Sequence, residues 1–175
     1  MQLVEEGRLD LDADVNTYLD FRIPDTYPEP ITLVHLMTHT AGFEDLYFEI
    51  FALDAADLLP VREWLVSHMP ARVRPPGVCA AYSNYGTELA GYIVERVTGQ
   101  PYHEYVQEHI LEPLGMARST AQSPIPPDLR PHVSAGYMIV DGTLQAVPDE
   151  DDFMGQQATV RAGAHASSVT DIARF

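Results

Sequence analysis

Hydrophobic positions recur at helical spacing in three stretches of this 175-residue chain. The clearest pattern begins beyond Asn84 and stops at Gly99. Its apolar face consists of Leu89, Tyr92, Ile93 and Val97. A second helix is predicted over about Pro101–Leu111, because proline suits the first position of a helix. A third pattern has Asp54 as its N-cap and extends through Met69. The sequence therefore predicts a core built mainly from helices.

Shorter elements are predicted before these helices. Met1–Gly7 has the pattern of the last two turns of a helix, with its glycine as the stop. Polar and apolar residues alternate over Arg8–Asp12, which predicts a short half-exposed strand or an extended turn. Val15–Leu19 predicts a brief helical turn, and Thr32 is a suitable N-cap for a short helix over Leu33–Thr38.

Beyond the helices, the pattern changes to a hairpin. His132–Val147 contains two alternating runs, and Asp141-Gly142 between them is typical of a two-residue turn. The acidic run Asp149–Asp152 is interpreted as a solvated loop, and Ser168–Phe175 as the beginning of a helix. Proline-rich loops are predicted at Ile23–Pro30, Pro70–Gly77 and Pro124–Pro131.

Composition narrows the possible functions. The formal net charge is −16, and all ten basic residues are arginine, so the chain has no lysine. Nucleic-acid binding is excluded, because it needs cationic side chains to displace counterions from phosphates. Any mechanism that needs a lysine cannot be completed within these residues. The charge indicates an acidic surface suited to high salt, or an arginine-favouring, GC-rich genome, while 46% hydrophobic residues suffice for a core. No apolar run is long enough to span a membrane.

Several common sites are missing from the sequence. There is no G-x-S-x-G elbow, no G-x-G-x-x-G and no P-loop, and the single cysteine excludes an internal disulfide. His103-Glu104 begins like a zinc-protease helix, but Gln107 stands where the second histidine is required. His35 and His39 are four residues apart, yet no third ligand has a suitable spacing, so we interpret His39 as a structural hydrogen-bonding residue.

The triplet Tyr82-Ser83-Asn84 is the main candidate for chemistry. A tyrosine between a loop and a helix can direct its phenol into a cleft, where a nearby cation would lower its pKa and allow proton relay. The amide of Asn84 offers both a donor and an acceptor to a substrate. The alternative is structural: the tyrosine ring packs against the protein and Asn84 caps the following helix.

The triplet lies within a longer series of motifs that resembles a known family. That series comprises Leu3–Asp12, Ile31–Gly42, Pro76-Gly77, Tyr82–Gly86, Gly91–Pro101, Glu112–Met116 and Ala162–Phe175. In this order the segments closely resemble the serine β-lactamase-related hydrolases, which include class C β-lactamases, D-Ala-D-Ala carboxypeptidases and related esterases. The resemblance covers nearly the whole chain. It implies an α+β fold of the β-lactamase/penicillin-binding-protein type, represented here mainly by its helical lobe with short strands.

The family's machinery has three parts: S-x-x-K, Y-x-N and a K/H-T-G strand. By this resemblance Tyr82 has the catalytic role of proton relay and Asn84 contacts the substrate amide, with no cofactor and no metal. Only Y-x-N is present, so we expect residues 1–175 to be one partial domain, truncated at both ends. S-x-x-K would then precede Met1, and K/H-T-G would follow Phe175.

The resemblance implies a serine hydrolase that acts on an amide or ester through an acyl-serine, with a small-molecule or peptide substrate. The chain by itself is expected to be inactive. The alternative is a non-catalytic homologue that keeps the cleft to bind a ligand or peptide. Family habit suggests a location outside the cytoplasm, and the oligomeric state stays open. Cys79-Ala80 and Ala164-His165 depart from the family's usual residues, which leaves the shape of the cleft open.

Overall fold

The computed structural model describes residues 1–46, 59–146, 163 and 165–175. Within these ranges, helices form the core and a single hairpin lies outside it. The helices are α1 (Gln2–Glu5), α2 (Leu33–Met37), α3 (Val61–Ser67), α4 (Asn84–Thr98), α5 (Tyr102–Val106) and α6 (Val169–Ile172). The strands are β1 (Tyr137–Val140) and β2 (Thr143–Ala146).

Helix α4 is the central element of the core, and α2, α3 and α5 contact it. Its side chains Tyr85, Leu89 and Ile93 are completely buried. The Tyr85 ring lies edge-on to Phe43 with 4.9 Å between centroids, and its hydroxyl donates to the Leu65 carbonyl at 3.0 Å. The helix ends at Gly99, whose φ of 74° is left-handed. The predicted helix and its stop are therefore confirmed.

Helix α2 positions one wall of the candidate site. The backbone N–H of Thr32, its N-cap residue, donates to Nδ1 of His35 at 3.1 Å, so the predicted cap is confirmed. The helix ends at Met37, one residue earlier than predicted. The chain then turns at Gly42, where a Cβ would lie 2.1 Å from the Arg74 carbonyl oxygen, so no other residue fits there.

Two predictions in the amino-terminal region are resolved by local hydrogen bonds. The amides of Arg8 and Leu9 both donate to the Leu3 carbonyl, at 2.9 and 3.0 Å, which closes the end of α1. Arg8–Asp12 therefore forms the extended turn rather than a strand. The predicted helical turn is a 3₁₀ helix at Val15–Thr17, capped by Asp14.

The helix predicted over Pro101–Leu111 is present but irregular. Pro101 is the N-cap residue, so the first helical residue is Tyr102, and α5 continues into a π-helical turn at Gln107–Leu111. A small second core lies beside this turn. It consists of Val106, Leu111, Met116 and Ala121.

The predicted hairpin and its turn are confirmed, but the first strand begins at Tyr137, because Arg130–His132 forms a 3₁₀ helix. Tyr137 pairs with Ala146 and Val140 with Thr143, and the turn residues Asp141 and Gly142 have φ of 49° and 74°. The Asp54 cap and the acidic run Asp149–Asp152 lie outside the described residues. Among the helices that are described, none is both long and apolar enough to cross a membrane.

Candidate active-site residues

Tyr82 and Asn84 lie where the loop before α4 enters the helix. Ser83 between them is the N-cap residue, and its Oγ accepts a hydrogen bond from the Gly86 amide at 3.1 Å. Asn84 is therefore the first helical residue, and the alternative in which it caps the helix is wrong. The cap fixes the backbone on both sides, so the two side chains emerge from a rigid junction.

The side chains of Tyr82 and Asn84 contact each other directly. The Tyr82 hydroxyl donates to Oδ1 of Asn84 at 3.1 Å, and the Tyr82 side chain is 58% exposed. A phenol that is this accessible can exchange a proton with a bound molecule. Because Oδ1 of Asn84 accepts from the phenol, its Nδ2 group is the part that can donate to a substrate carbonyl.

His39 supports this pair from the end of α2. Its Nδ1 accepts from the Ser83 amide at 3.3 Å, and its carbonyl accepts from the Ala81 amide at 2.8 Å. Its ring lies against Tyr82 with 4.6 Å between centroids. The interpretation of His39 as a structural hydrogen-bonding residue is confirmed. Its contact with Tyr82 was missed, because a separation of 43 positions gives no signal in a single sequence.

The loop after α3 forms the adjoining wall. The Gly77 amide donates to the Thr40 carbonyl at 2.9 Å, and a Cβ on Gly77 would lie 3.4 Å from Nε2 of His35. Gly77 has a φ of 80°, a conformation that favours glycine. Further along the loop, Cys79 is exposed, and its Sγ accepts from Nη1 of Arg74 at 3.3 Å. These contacts attach the loop that leads to Tyr82 onto α2.

Two neighbouring tyrosines have a different environment. Burial raises the pKa of Tyr85 far above its usual range. Burial, with the hydrogen bond from its hydroxyl to Asp20, raises the pKa of Tyr92 to about 12. Both phenols therefore stay protonated as structural donors. Tyr82 differs from them because its hydroxyl is exposed beside an amide.

Ser83, within the triplet, and Ser67, at the end of α3, both make helix contacts through their hydroxyl groups. Ser83 Oγ accepts the capping hydrogen bond, and Ser67 Oγ donates to the Glu63 carbonyl at 2.7 Å. His68 Nδ1 lies 2.9 Å from Ser67 Oγ, but its ring is stacked on Trp64. Neither serine has the arrangement of an activated nucleophile.

The described residues contain no cluster of side chains that could bind a metal ion. No group of three or more His, Cys, Asp or Glu side chains is placed there to hold an ion. His35 makes its hydrogen bond with Thr32, and His39 makes its own with Ser83. A cavity of about 490 Å³ is lined by His103, Glu104 and Gln107 among others, but not by Tyr82 or Asn84.

The chain has the partial α+β fold of the penicillin-binding and β-lactamase class, as its similarity to solved structures of that class shows. The chain belongs to the Beta-lactamase family, whose sequence model matches residues 1–175. The resemblance read from the motifs and the fold class expected from it are both confirmed.

Curated relatives and solved structures agree with this assignment. The chain is 30% identical over 148 residues to a putative penicillin-binding protein, PbpX, of Bacillus subtilis, covering 85% of this chain and 35% of that protein. It is 31% identical over 153 residues to the D-alanyl-D-alanine-carboxypeptidase/endopeptidase AmpH of Escherichia coli, covering 84% and 40% respectively.

The octameric penicillin-binding protein homologue from Pyrococcus abyssi has a similar structure, with a TM-score of 0.77 and 32% identity. That match covers 99% of this chain and 40% of the other. The chain therefore spans between about a third and two fifths of the length of these relatives.

Proposed function

We propose that the protein to which this chain belongs hydrolyses an amide or ester bond through an acyl-serine intermediate. In this proposal Tyr82 relays protons and Asn84 holds the substrate amide. The observation that supports it is the hydrogen bond between the exposed Tyr82 hydroxyl and Asn84 at the start of α4. Membership of the Beta-lactamase family and the carboxypeptidase among its relatives favour the same reaction.

The chemistry assigns each group a defined task. The serine of S-x-x-K attacks the substrate carbonyl, the lysine accepts the serine proton, and the leaving group departs with a proton relayed through Tyr82. Water then hydrolyses the acyl-serine and restores the serine. Asn84 holds the substrate by donating from Nδ2 to the amide carbonyl. The substrate is a small molecule or peptide.

These 175 residues contain no lysine, so the S-x-x-K base is not among them. We therefore propose that residues 1–175 form one partial domain and that the chain alone has no covalent route to hydrolysis. Removing a nucleophile or its base from a serine hydrolase eliminates nearly all of its rate enhancement.

The proposal is tested by replacing the phenol in a longer protein that contains this chain together with S-x-x-K. Tyr82→Phe should lower kcat by about 10²- to 10⁴-fold, the usual contribution of a general acid or base, with little change in KM. Tyr137→Phe is the matched control, because its side chain is 62% exposed on the hairpin. An unchanged kcat in Tyr82→Phe would refute the relay role.

A second candidate is a non-catalytic homologue that binds a ligand or peptide in the same cleft, which would require that the longer protein lacks S-x-x-K. Asn84→Ala separates the two. If the longer protein only binds its ligand, it shows no turnover, and Asn84→Ala lowers its affinity for that ligand. If it is a hydrolase, it turns substrate over, and Asn84→Ala lowers kcat/KM.

A further inference from the structure

A second polar pocket lies beside the amino-terminal end of α2. It has a volume of about 270 Å³ and is formed by the proline-rich loop 22–31, Asp14 of the 3₁₀ cap and Arg72 from the loop after α3. Neither Tyr82 nor Asn84 lines it. Its volume is below the usual range for drug-sized ligands, so it suits a smaller molecule.

Arg72 is the unusual residue of this pocket. Its Nε and Nη2 atoms are buried, and neither makes a hydrogen bond to the protein. Its guanidinium lies over the Tyr27 ring, 5.2 Å from the centroid, and its backbone pairs with Phe43 in an isolated bridge. Buried donors on a charged group are costly when they have no acceptor, so an acceptor brought to this guanidinium would be stabilising.

Acidic side chains line the same pocket without pairing with Arg72. Asp14 accepts from the Asn16 amide at 2.9 Å, and Asp25 pairs with Arg22 at 2.5 Å. The pocket also contains Glu29. Burial lowers the pKa of Arg72, while Tyr27, Asp25, Asp14 and Glu29 act in the opposite direction. The pocket thus carries a fixed positive group and several negative groups that do not neutralise it directly.

This distribution selects against singly charged ligands. A simple anion could bind the guanidinium but would be repelled by Asp14 and Glu29, because the charge of Asp25 is balanced by Arg22. A simple cation would be attracted by the carboxylates but repelled by Arg72. A molecule with a carboxylate and an ammonium group a few ångströms apart satisfies both.

We propose that this pocket binds a free α-amino acid, with its carboxylate on the Arg72 guanidinium and its ammonium group on the carboxylates of Asp14 and Glu29. The flat guanidinium presents parallel donors that match a carboxylate. Tyr27 holds the guanidinium plane from one side. Binding is independent of Tyr82, so the hydrolase proposal can fail while this one stands.

The test uses alanine and two matched derivatives in which one charge is blocked. Isothermal titration calorimetry on the 175-residue chain should show alanine binding at least about tenfold more tightly than N-acetylalanine, which has only the carboxylate, or alaninamide, which has only the ammonium group. Resonances of Tyr27 and of Nε–H of Arg72 should shift on addition of alanine.

Arg72→Gln should abolish alanine binding, whereas Arg62→Gln should not, because Arg62 pairs with Asp20 away from the pocket. If circular dichroism shows that Arg72→Gln is unfolded, the proposal is tested in the wild-type chain alone. The measurements are then the affinities of alanine and its two derivatives and the resonance shifts of Tyr27 and Arg72. Three results would overturn the proposal: no binding at millimolar alanine, equal binding of a singly charged derivative, or full binding by folded Arg72→Gln.

Discussion

His39 joins the end of α2 to the residue pair at the start of α4. Its φ of 55° is left-handed, and this conformation allows its carbonyl to accept from Ala81 while its ring reaches Ser83 and Tyr82. Histidine is among the residues that are enriched in this region of backbone conformation. We therefore expect the orientation of the Tyr82 phenol to depend on its ring contact with His39.

Replacing His39 tests this dependence. His39→Asn keeps a residue that tolerates the left-handed backbone but removes the ring. Losing one hydrogen bond of about 1 kcal/mol should make exchange of the Ser83 amide about fivefold faster. The Tyr82 ring resonances should also move toward those of a free tyrosine. The exposed His132→Asn is the control, and unchanged Tyr82 resonances in His39→Asn would contradict the positioning role.

His35 predicts how stability depends on pH. Burial, and next the positive charge of Arg72, lower the pKa of His35, while Asp12 opposes them. The unfolded chain therefore takes up the proton more readily than the folded one. This contribution to stability is complete above the usual histidine pKa of about 6.5 and is lost as the pH falls from there toward the folded pKa. Protonation also removes the acceptor for Thr32.

Urea denaturation at pH 8 and pH 5 checks this effect. The free energy of unfolding should fall less with decreasing pH in His35→Gln than in the wild type. Glutamine at this position can still complete the capping box with Thr32, but it does not titrate. Burial also lowers the pKa of His165, so the free energy of unfolding of His35→Gln should still decrease somewhat as the pH falls. Identical pH dependence in both proteins would show that His35 does not contribute.

At the level of single residues, sequence reasoning singled out Tyr82 and Asn84 as a candidate pair, and the structure shows that they are hydrogen-bonded to each other. The structural alternative had Asn84 as the helix cap, whereas Ser83 is the cap; both residue types are good caps, and only the backbone decides between them. The unpaired Arg72 could not be predicted, because its environment combines three distant segments.

Among the elements, α4 and the hairpin were predictable for physical reasons. A long apolar face with a terminal glycine, and an Asp-Gly pair between alternating runs, are strong local signals. The conformation of Arg8–Asp12 was ambiguous, because alternation over five residues suits both a strand and a turn. The turn forms because the amides of Arg8 and Leu9 donate to the Leu3 carbonyl. The π-helical turn at Gln107–Leu111 leaves no comparable trace in the sequence.

Helix α6 is held in place by one buried carboxylate. Asp171 is 3% exposed and accepts from the Arg118 amide at 2.7 Å, from Ser119 Oγ at 2.9 Å and from Arg174 Nη1 at 3.0 Å. The isolated bridge between Thr120 and Ala166 lies beside these contacts. This carboxylate therefore joins the carboxy-terminal helix to the segment that follows the π-helical turn.

Asp171→Asn should lower the free energy of unfolding by about 1–3 kcal/mol, because an amide cannot accept all of these hydrogen bonds and one of the donors is a cation. Chemical denaturation measures the loss, and faster exchange of the Arg118 amide locates it. Asp128→Asn, at an exposed position, is the matched control. Equal stability of the two variants would contradict a structural role for the carboxylate.

For the whole molecule, the net charge of −16 is the dominant electrostatic property. Unpaired acidic groups repel one another in the folded state, and salt shortens the range of this repulsion from about 30 Å at 0.01 M to about 3 Å at 1 M. The Tm should therefore rise by a few degrees over that range, equivalent to about 1 kcal/mol. Thermal melts in sodium and potassium chloride should agree, and a Tm that falls with salt would exclude an acidic surface suited to high salt.

The absence of lysine bears on the proposed reaction as well as on surface composition, because that reaction needs a lysine as its base. The family assignment covers all 175 residues, while the chain spans only about 35–40% of the relatives' length. The described part contains the Y-x-N pair and the His39 contacts beside it. It contains neither the serine–lysine pair nor the K/H-T-G strand that the proposed reaction requires.

The most direct measurement is labelling with a fluorophosphonate or penicillin probe, followed by mass spectrometry of the labelled peptide. A longer protein that contains this chain should be labelled at the serine of S-x-x-K, outside residues 1–175. The 175-residue chain should stay unlabelled under the same conditions. Covalent labelling of any serine within residues 1–175 would contradict the account.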